Sequence, residues 1–255
     1  MSNGLVVKEQ FNIQANNFDH WNVTQDERIL QSIYNFFGIG ANDNLLDFAC
    51  GTGAFAIYAA KRIKSVQGVD ISEGMIEIAV KHAKQQKLDN INFLCCDVEN
   101  VPFESESYEC VSSKSAFHHM KNNKLVFKEM KRCCKEQGRI CIEDVILYDD
   151  KKLDDFFENM EIRIDKSHHV SLSKLEIVNL FKQNDIKIFR VFESISELDF
   201  IDYVNHAVQT PEDRLRINEF LKEGLQDSSI SKCFITRNNT LYWKRKVLSI
   251  VGQKQ

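Results

Sequence analysis

The stretch from Leu45 to Ala56 reads LLDFACGTGAFA, so an apolar run enters a turn with two glycines and continues into small apolar residues. Gly51 and Gly53 carry no side chain that would hold a ligand away from the backbone. A turn between a parallel strand and the next helix often binds ligands, because backbone N–H groups point outward at the start of the helix. The stretch therefore predicts a strand, a ligand-binding turn and a helix.

Short apolar runs alternate with amphipathic stretches as far as Val145. The apolar runs predict strands at 44–49, 65–71, 91–96, 108–113 and 138–145. The stretches between them space their apolar residues at helical intervals. Apolar strands separated by helices are typical of a parallel sheet that is covered on both faces. The predicted fold class is a doubly wound α/β core.

The flanking segments predict helices and a hairpin. Helices are expected over 25–37, 151–164, 171–184 and 197–227. Ser171 or Ser173 suits the N-cap of the third of these, and Thr210-Pro211 suits a helix start. The residues from 230 to 252 predict two strands joined by the turn RNN, with the first strand at 231–236.

Composition and charge narrow the class of protein. The 255 residues are 43% hydrophobic and 27% charged, as in ordinary soluble globular proteins. The net charge of −4 argues against binding to nucleic acid or to an anionic membrane. The sequence shows neither a run long enough to span a membrane nor a secretion signal. The 8 cysteines form no CxxC pair, so we expect reduced thiols in a cytoplasmic protein.

Carboxylates follow three successive predicted strands. Asp47 lies just before the glycine turn, Asp70 ends the second strand and Asp97 follows the third. Because these strand ends meet at one edge of the sheet, the carboxylates would repel a phosphate-rich ligand and attract a cationic nucleoside. Asp70 is placed to accept hydrogen bonds from two ribose hydroxyls, and Asp97 lies near the expected adenine amino group. The predicted ligand is a positively charged nucleoside without phosphate.

These motifs together resemble the class I S-adenosylmethionine (SAM)-dependent methyltransferases, and most of all the ubiquinone/menaquinone-biosynthesis C-methyltransferase group, methyltransferase type 11. The segments that carry the resemblance are LLDFACGTG, GVDISEGMIEIA, CCDVENVPFESESYECV, SSKSAFHHM and CKEQGRICIED. The resemblance is strong over about 44–145 and looser beyond it. One departure is Ala49, which stands where many relatives carry a glycine.

The resemblance implies a seven-stranded, mostly parallel sheet with an antiparallel C-terminal hairpin, formed by 185–195 and 240–251. It also divides the chain into a helical N-terminal cap (1–43), a SAM-binding core (44–145) and a substrate-side half (146–255) with a helical insertion at 197–227. The strand at 231–236 is expected to pair beside these elements.

The cofactor implied by the resemblance is SAM, and the product is S-adenosylhomocysteine (SAH). The implied cofactor-binding residues are Asp47, Ala49, Cys50, Gly51, Gly53, Asp70, Ile71, Met75, Asp97, Val98 and Lys114. Cys50 is interpreted as a small filler of the turn. No metal site is predicted, because the His-His pairs lack metal-ligand spacing.

The methyl group of a sulfonium is already activated, so the protein's main task is to position a nucleophile in a dry pocket. His118 and His119 follow the fourth strand and are the candidate catalytic bases. Alternatively, one of them caps the next helix or binds the SAM carboxylate. Phe18, Trp21 and Phe117 are candidates for contact with the sulfonium. The candidate substrate contacts are Phe18, Trp21, His168 and Tyr203, with His206 as a further candidate.

The sequence thus predicts a SAM-dependent methyltransferase that acts on a small molecule, as a monomer or homodimer, without nucleic acid. One alternative is a SAM-binding module without catalysis that serves as a partner or regulator. A second is a nicotinamide-dependent oxidoreductase, because Gly51, Gly53 and Ala56 fit a loose dinucleotide fingerprint. Asp47 and Asp97 count against this second alternative.

Overall fold

The computed structural model describes residues 3–255, with the side chains of 6–21 and 23–255. Its strands are β1 (Asn44–Phe48), β2 (Ser65–Asp70), β3 (Ile91–Cys95), β4 (Tyr108–Lys114), β5 (Cys134–Val145), β6 (Ile186–Asp199), β7 (Phe234–Arg237) and β8 (Thr240–Lys254). Its helices are α1 (Asn3–Asp19), α2 (Asn22–Gln25), α3 (Glu27–Phe37), α4 (Ala54–Ala60), α5 (Glu73–Gln85), α6 (Asn123–Cys133), α7 (Lys151–Ile164), α8 (Lys174–Gln183), α9 (Phe200–His206), α10 (Pro211–Gly224) and α11 (Ser228–Ser231). A 3₁₀ turn covers Phe117–His119.

The strands form one sheet in the order β3-β2-β1-β4-β5-β8-β6. The five strands from β1 to β5 pair in parallel, and β8 runs antiparallel between β5 and β6. This confirms the predicted doubly wound class with antiparallel C-terminal strands. The carboxyl ends of the parallel strands therefore meet at one edge, which is where the sequence analysis expected Asp47, Asp70 and Asp97.

The sheet has eight strands, because β7 adds to the seven that the resemblance implies. This is the strand expected at 231–236, which begins at Phe234 and finds a partner because β8 is long. The β8 residues from 247 to 253 pair with β5, and Thr240–Trp243 reach past the end of β5 and pair with β7. Asn238 and Asn239 join β7 to β8 with φ angles of 50° and 62°. This left-handed pair suits a tight hairpin turn, which asparagine tolerates.

Successive strand residues pack into two cores on opposite faces of the sheet, because side chains alternate along a strand. Leu46, Val111 and Ile250 belong to one core, whereas their neighbours Leu45 and Val251 belong to the other. A third cluster around Trp243 and Phe157 lies under the C-terminal helices. These cores hold both faces of the sheet and leave its carboxyl edge free for a site.

Several predicted boundaries need correction. The helical insertion begins at Phe200 and not at 197, because β6 continues through Asp199, which pairs with Tyr242 and caps α9. The helix expected over 25–37 begins at Glu27, since Asp26 is its N-cap. Helix α1 lies within the N-terminal cap expected to be helical, but its bounds were not predicted. The expected starts at Ser173 and Thr210 are confirmed, and each carries a capping box.

All 8 cysteines are free thiols. Across residues 3–255, no helix is both long and apolar enough to cross a membrane.

Helix α7 packs closely against α10 at Gly224, where an added β-carbon would overlap the ring of Phe156. We expect Gly224→Ala to lower the free energy of unfolding by about 1–3 kcal/mol, because overpacking a core forces side chains out of their rotamers. At Gly74, also in a helix, an added β-carbon would lie no closer than 3.4 Å to its neighbours. Gly74→Ala is therefore the matched control and should be neutral or stabilising in urea titrations; equal effects of the two changes would contradict this packing.

Candidate active site

A cavity of about 470 Å³ opens at the carboxyl ends of β1, β2 and β4 and beside the turn after β3. Its lining includes the turn between β1 and α4, with Asp47, Ala49, Cys50 and Gly51. Ile71, Met75, Asp97, Val98 and Lys114 also line it. The structure therefore brings together every predicted cofactor residue except Gly53. We call this space the first cavity.

The glycine turn has an unusual backbone. Ala49, Gly51 and Gly53 have φ angles of 53°, 56° and 81°, so left-handed residues alternate with others along the turn. For Ala49 this conformation costs roughly 1–2 kcal/mol, because its β-carbon crowds a carbonyl oxygen. Such local strain persists only where the surroundings fix it. Phe18 closes over Gly51, whose added β-carbon would lie 3.8 Å from the ring.

Gly53 is not among the residues that line the first cavity. Its φ of 81° makes it the N-cap of α4, and its α-carbon faces the core. An added β-carbon would lie 2.8 Å from Phe93 Cζ and 3.0 Å from Ala79 Cβ. Gly53 is therefore needed for close packing of the helix start against β3 and α5.

Asp70 fixes the turn and lines the cavity at once. Its Oδ2 accepts the N–H of Gly51 at 2.9 Å and its Oδ1 accepts the N–H of Ser72 at 3.0 Å. Burial raises the pKa of Asp70, while these hydrogen bonds oppose the rise. Each carboxylate oxygen keeps a lone pair after one hydrogen bond. Asp70 can therefore still accept hydroxyl donors from a ligand.

Asp47 is the most strongly perturbed carboxylate of the first cavity. It is buried, and its Oδ1 accepts the hydroxyl of Ser112 at 2.6 Å. Burial raises the pKa of Asp47 to about 7, although the Ser112 hydrogen bond and the charge of Lys114 lower it. A positive ligand charge would favour the ionised form of such a group.

Helix α1 covers the first cavity. Val7, Phe11 and Phe18 line it from this side, and α1 is tied to α5 through Asn12, whose Oδ1 accepts the N–H of Gly74 at 3.0 Å. The sequence analysis named Phe18 but missed Val7, Phe11 and Asn12. The signal was the spacing of Val7, Phe11, Ala15 and Phe18, which recur on one face of a helix.

A second cavity of about 1,060 Å³ adjoins the first. The residues lining both are Phe18, Thr24, Lys114, Ser115 and His119. Its floor is the face of β5, β8 and β6, and its walls come from α2, α3 and α9. The predicted substrate residues Phe18, Trp21, His168 and Tyr203 all line it, as does His206.

His118 lines the second cavity and is held by a buried carboxylate. Its Nδ1 lies 2.5 Å from Asp144 Oδ1, and Asp144 Oδ2 accepts the N–H groups of Ala116 and Phe117. Burial works against ionisation of Asp144, but the charge of His118 and these hydrogen bonds hold its pKa below the usual value. The ionised carboxylate assigns the proton of His118 to Nδ1, which leaves Nε2 as an acceptor.

His119 has a different environment. Its Nδ1 donates to the hydroxyl of Ser167 at 3.1 Å, and that hydroxyl donates to Asp165 Oδ1 at 2.6 Å. Burial, with the nearby charge of His118, lowers the pKa of His119 to about 3. The ring is therefore neutral at physiological pH and is a weak base. The pair that the sequence treated alike thus divides into His118 with a carboxylate partner and a neutral His119.

The positions of three further residues can be compared with what the sequence predicted. Phe117 is buried in the core and is absent from both cavity linings, so the expectation of a sulfonium contact is wrong for this residue. His169 is exposed. Burial raises the pKa of the Cys50 thiol well above its usual value, which fits its interpretation as a filler.

The sequence reading also missed the acidic pair that ends β5. Glu143 lines the second cavity and pairs in register with Lys114, and its carboxylate accepts no hydrogen bond from the described residues. Burial raises the pKa of Glu143, and Lys114 opposes the rise. The signal was two adjacent acids at the end of an apolar strand, which repeats the pattern of Asp47 and Asp70. Within residues 3–255, no group of three or more His, Cys, Asp or Glu could hold a metal ion.

Residues 46–142 match the family model of the methyltransferase domain. This part of the chain is a methyltransferase domain. The match confirms the resemblance that the sequence motifs predicted, and it covers the strands that line the first cavity.

Relatives and solved structures agree with the methyltransferase domain. The chain is 27% identical over 146 residues to the uncharacterized methyltransferase YcgJ of Bacillus subtilis, covering 57% of this chain and 58% of that protein. It is 31% identical over 97 residues to a ubiquinone biosynthesis O-methyltransferase of Coxiella burnetii, covering 38% and 41%. The crystal structure of YcgJ shares the fold, with a TM-score of 0.82 at 21% identity over 90% of this chain and 99% of that one.

A more distant structure is that of geranyl diphosphate C-methyltransferase from Streptomyces coelicolor with Mg²⁺, geranyl diphosphate and SAH, with a TM-score of 0.61 at 16% identity over 90% of this chain and 79% of that one. At this identity the likeness concerns the fold alone. The chain spans between 41% and 61% of the length of the curated relatives it matches.

Because the pKa of Asp47 is raised in the folded protein, this residue should make the free energy of unfolding depend on pH. The buried carboxyl titrates at about pH 7, against 3.8 ordinarily, so the folded state holds a proton that the unfolded chain releases. The folded protein therefore loses stability as the pH rises from 3.8 to about 7, because deprotonation is easier in the unfolded chain. In Asp47→Asn this loss disappears, so its stability relative to the native protein should rise by about 2–3 kcal/mol between about pH 5 and about pH 8.

Urea titrations at the two pH values measure this difference. Asp89→Asn is the control, because Asp89 is exposed. A pH dependence that is the same for both variants would contradict the perturbed carboxyl.

Proposed function

We propose that the protein is a SAM-dependent methyltransferase that transfers a methyl group to a small molecule. SAM binds in the first cavity and the methyl acceptor binds in the second. The observation that carries the proposal is the shared wall between the cavities, formed in part by Phe18, Lys114 and His119. Two ligands in these cavities would meet at this wall, where an in-line transfer needs them.

The residues of the first cavity fit SAM. Its volume of about 470 Å³ lies in the range of small-molecule sites. Asp70 keeps acceptor capacity for ribose hydroxyls, and Met75 offers an apolar surface for a base. Asp47 and Asp70 supply negative charge for a sulfonium, whereas no cluster of phosphate-binding cations lies among the lining residues that the structure describes. When bound, SAM supplies a methyl group that its sulfonium charge has already activated.

His118 is the general base in this proposal. Asp144 holds its Nδ1, so Nε2 is the atom that accepts a proton from the nucleophile in the second cavity. Asp144 also stabilises the imidazolium that forms. His119 lies at the boundary of the cavities and stays neutral, so it orients ligands without adding positive charge beside the sulfonium.

The volume of the second cavity supports an acceptor of drug-like size. About 1,060 Å³ is more than a single amino acid fills, and it is at the upper end for small-ligand sites. Its walls include the aromatic rings of Trp21, Tyr203 and Phe192, which bind flat or apolar groups.

Binding of SAH tests the first cavity. We expect calorimetric titration to give one site per chain and Asp70→Asn to weaken binding at least about tenfold, because a charged acceptor facing the ligand is lost. Asp89→Asn should bind SAH as the native protein does, and circular dichroism should show that both variants are folded. Failure of the native protein to bind SAH would refute the assignment of the first cavity.

Transfer of labelled methyl from SAM to a panel of quinones, phenols and thiols tests catalysis. With an acceptor found in this way, His118→Gln should lower the rate by about 10²–10⁴-fold, because a positioned base is removed. Its affinity for SAH should stay within about twofold of the native value. The matched control is His169→Gln, next to another histidine but exposed. SAH binding without transfer to any acceptor would favour a SAM-binding module over an enzyme.

A further inference from the structure

The second cavity contains buried nitrogen atoms that lack hydrogen-bond partners in the described residues. They are Trp21 Nε1, His168 Nδ1 and Arg245 Nη2. His168 and Arg245 are 8% and 6% exposed as whole residues. Leaving a buried polar group unpaired costs about 1–3 kcal/mol, so such atoms call for a partner. We call these three residues the donor end of the cavity.

Neighbouring groups fix each residue of the donor end. The guanidinium of Arg245 lies 4.9 Å from the centre of the Tyr203 ring, and the Trp21 ring lies 5.5 Å from that of Tyr203. His168 Nε2 donates to Glu158 Oε2 at 3.1 Å, which turns the other side of the ring away from Glu158. These contacts restrain all three side chains.

All three nitrogens would bind a hydrogen-bond acceptor of the ligand. Indole and guanidinium nitrogens only donate hydrogen bonds. Burial lowers the pKa of His168, but the hydrogen bond to Glu158 and the charge of Glu161 outweigh it, so the pKa is raised. This favours the doubly protonated ring, in which Nδ1 also donates.

The positive charges of the donor end are already compensated, so Trp21 Nε1 and His168 Nδ1 are its two nitrogens without any partner among the described residues. Arg245 Nη2 lies 2.5 Å from Glu161 Oε1 as an ion pair that lacks hydrogen-bond geometry, and His168 faces Glu158. Asp165, a further lining residue, is ionised: burial opposes this, but its contacts with His206 and His119 keep its pKa low. These acids would repel a carboxylate ligand, and Arg245 and His168 would repel an ammonium ligand.

We infer that the methyl acceptor is an uncharged molecule that carries a hydrogen-bond-accepting oxygen, such as a carbonyl, and that the donor end binds this oxygen. The inference rests on the proposed function, which makes the second cavity the acceptor site. The ring centres of His118 and His168 are 5.7 Å apart. The accepting oxygen therefore sits close to the methylated atom, within the span of one small ring system.

Four phenols of matched shape test this inference: meta-hydroxyacetophenone, meta-ethylphenol, meta-hydroxybenzoate and meta-hydroxybenzylamine. Their dissociation constants are measured by ligand-observed NMR on the SAH-saturated protein. We expect the ketone to bind at least about fivefold more tightly than ethylphenol, which differs by the carbonyl oxygen, and more tightly than the two charged probes.

Two variants test whether the donor end causes the preference for the ketone. Trp21→Phe removes one N–H donor and keeps a ring, and His168→Phe removes both ring nitrogens. Each should reduce the ratio of the dissociation constants of ethylphenol and the ketone at least about twofold. His169→Phe, the matched exposed control, should leave this ratio unchanged. Thermal unfolding establishes that each variant is folded; if His168→Phe is not, Trp21→Phe alone decides.

The inference is overturned if the ketone has no advantage, if a charged probe binds best, if the gap survives in the folded variants, or if none of the probes binds. Titration of SAH into the same protein preparations, before they are saturated for the probe measurements, separates loss of the acceptor class from failure of the proposed function. A protein that binds SAH but does not prefer the ketone keeps its proposed function and loses only the acceptor class.

Discussion

One buried carboxylate, Asp144, organises the boundary between the two cavities. It is 1% exposed and accepts hydrogen bonds from the backbone of Ala116, Phe117 and Val145 as well as from the His118 ring. An ionised group at this depth is tolerated only because so many donors surround it. The same contacts shape the turn after β4, which presents His118 to one cavity and His119 to both. Without the carboxylate, the turn and the orientation of the histidine would fail together.

The sequence predicted the core and the first cavity well, and the reason is local. Each strand from β1 to β5 is an apolar run next to a turn signal, so the order of elements follows from the chain itself. Parallel pairing then brings the strand ends together, and Asp47, Asp70 and Asp97 arrive at one edge without any further information. What the pattern left out was the role of each glycine: Gly51 lines the cavity, whereas Gly53 makes room for Phe93, which lies in a different strand.

The sequence suggested several residues of the second cavity singly but could not predict that they form one cavity, because they come from distant parts of the chain. Trp21, His118, His168, Tyr203 and Arg245 meet only after α2, the turn after β4, the loop after α7, α9 and β8 have assembled. No spacing in the sequence relates Glu161 to Arg245 or His168 to Glu158. Helix α1 escaped for a second reason. Its polar and asparagine-rich face weakens the helical pattern, and its apolar residues are explained only by the cavity and the α5 surface that they cover.

The low pKa of His119 follows from its place in this arrangement. Its ring lies 4.1 Å from that of His118 and 4.9 Å from that of Phe11, measured between centres, and the residue is half-buried. A protonated ring here would face His118, which gains a positive charge whenever it takes up a proton, and the sulfonium of the proposed donor. Like charges at such distances cost several kcal/mol in a partly buried site. Burial and the nearby charge of His118 favour the neutral form of His119, although the Ser167 contact opposes them. The proposed base and its neutral neighbour are the same residue type and differ in their surroundings: Asp144 accepts a hydrogen bond from His118, whereas burial and the charge of His118 lower the pKa of His119.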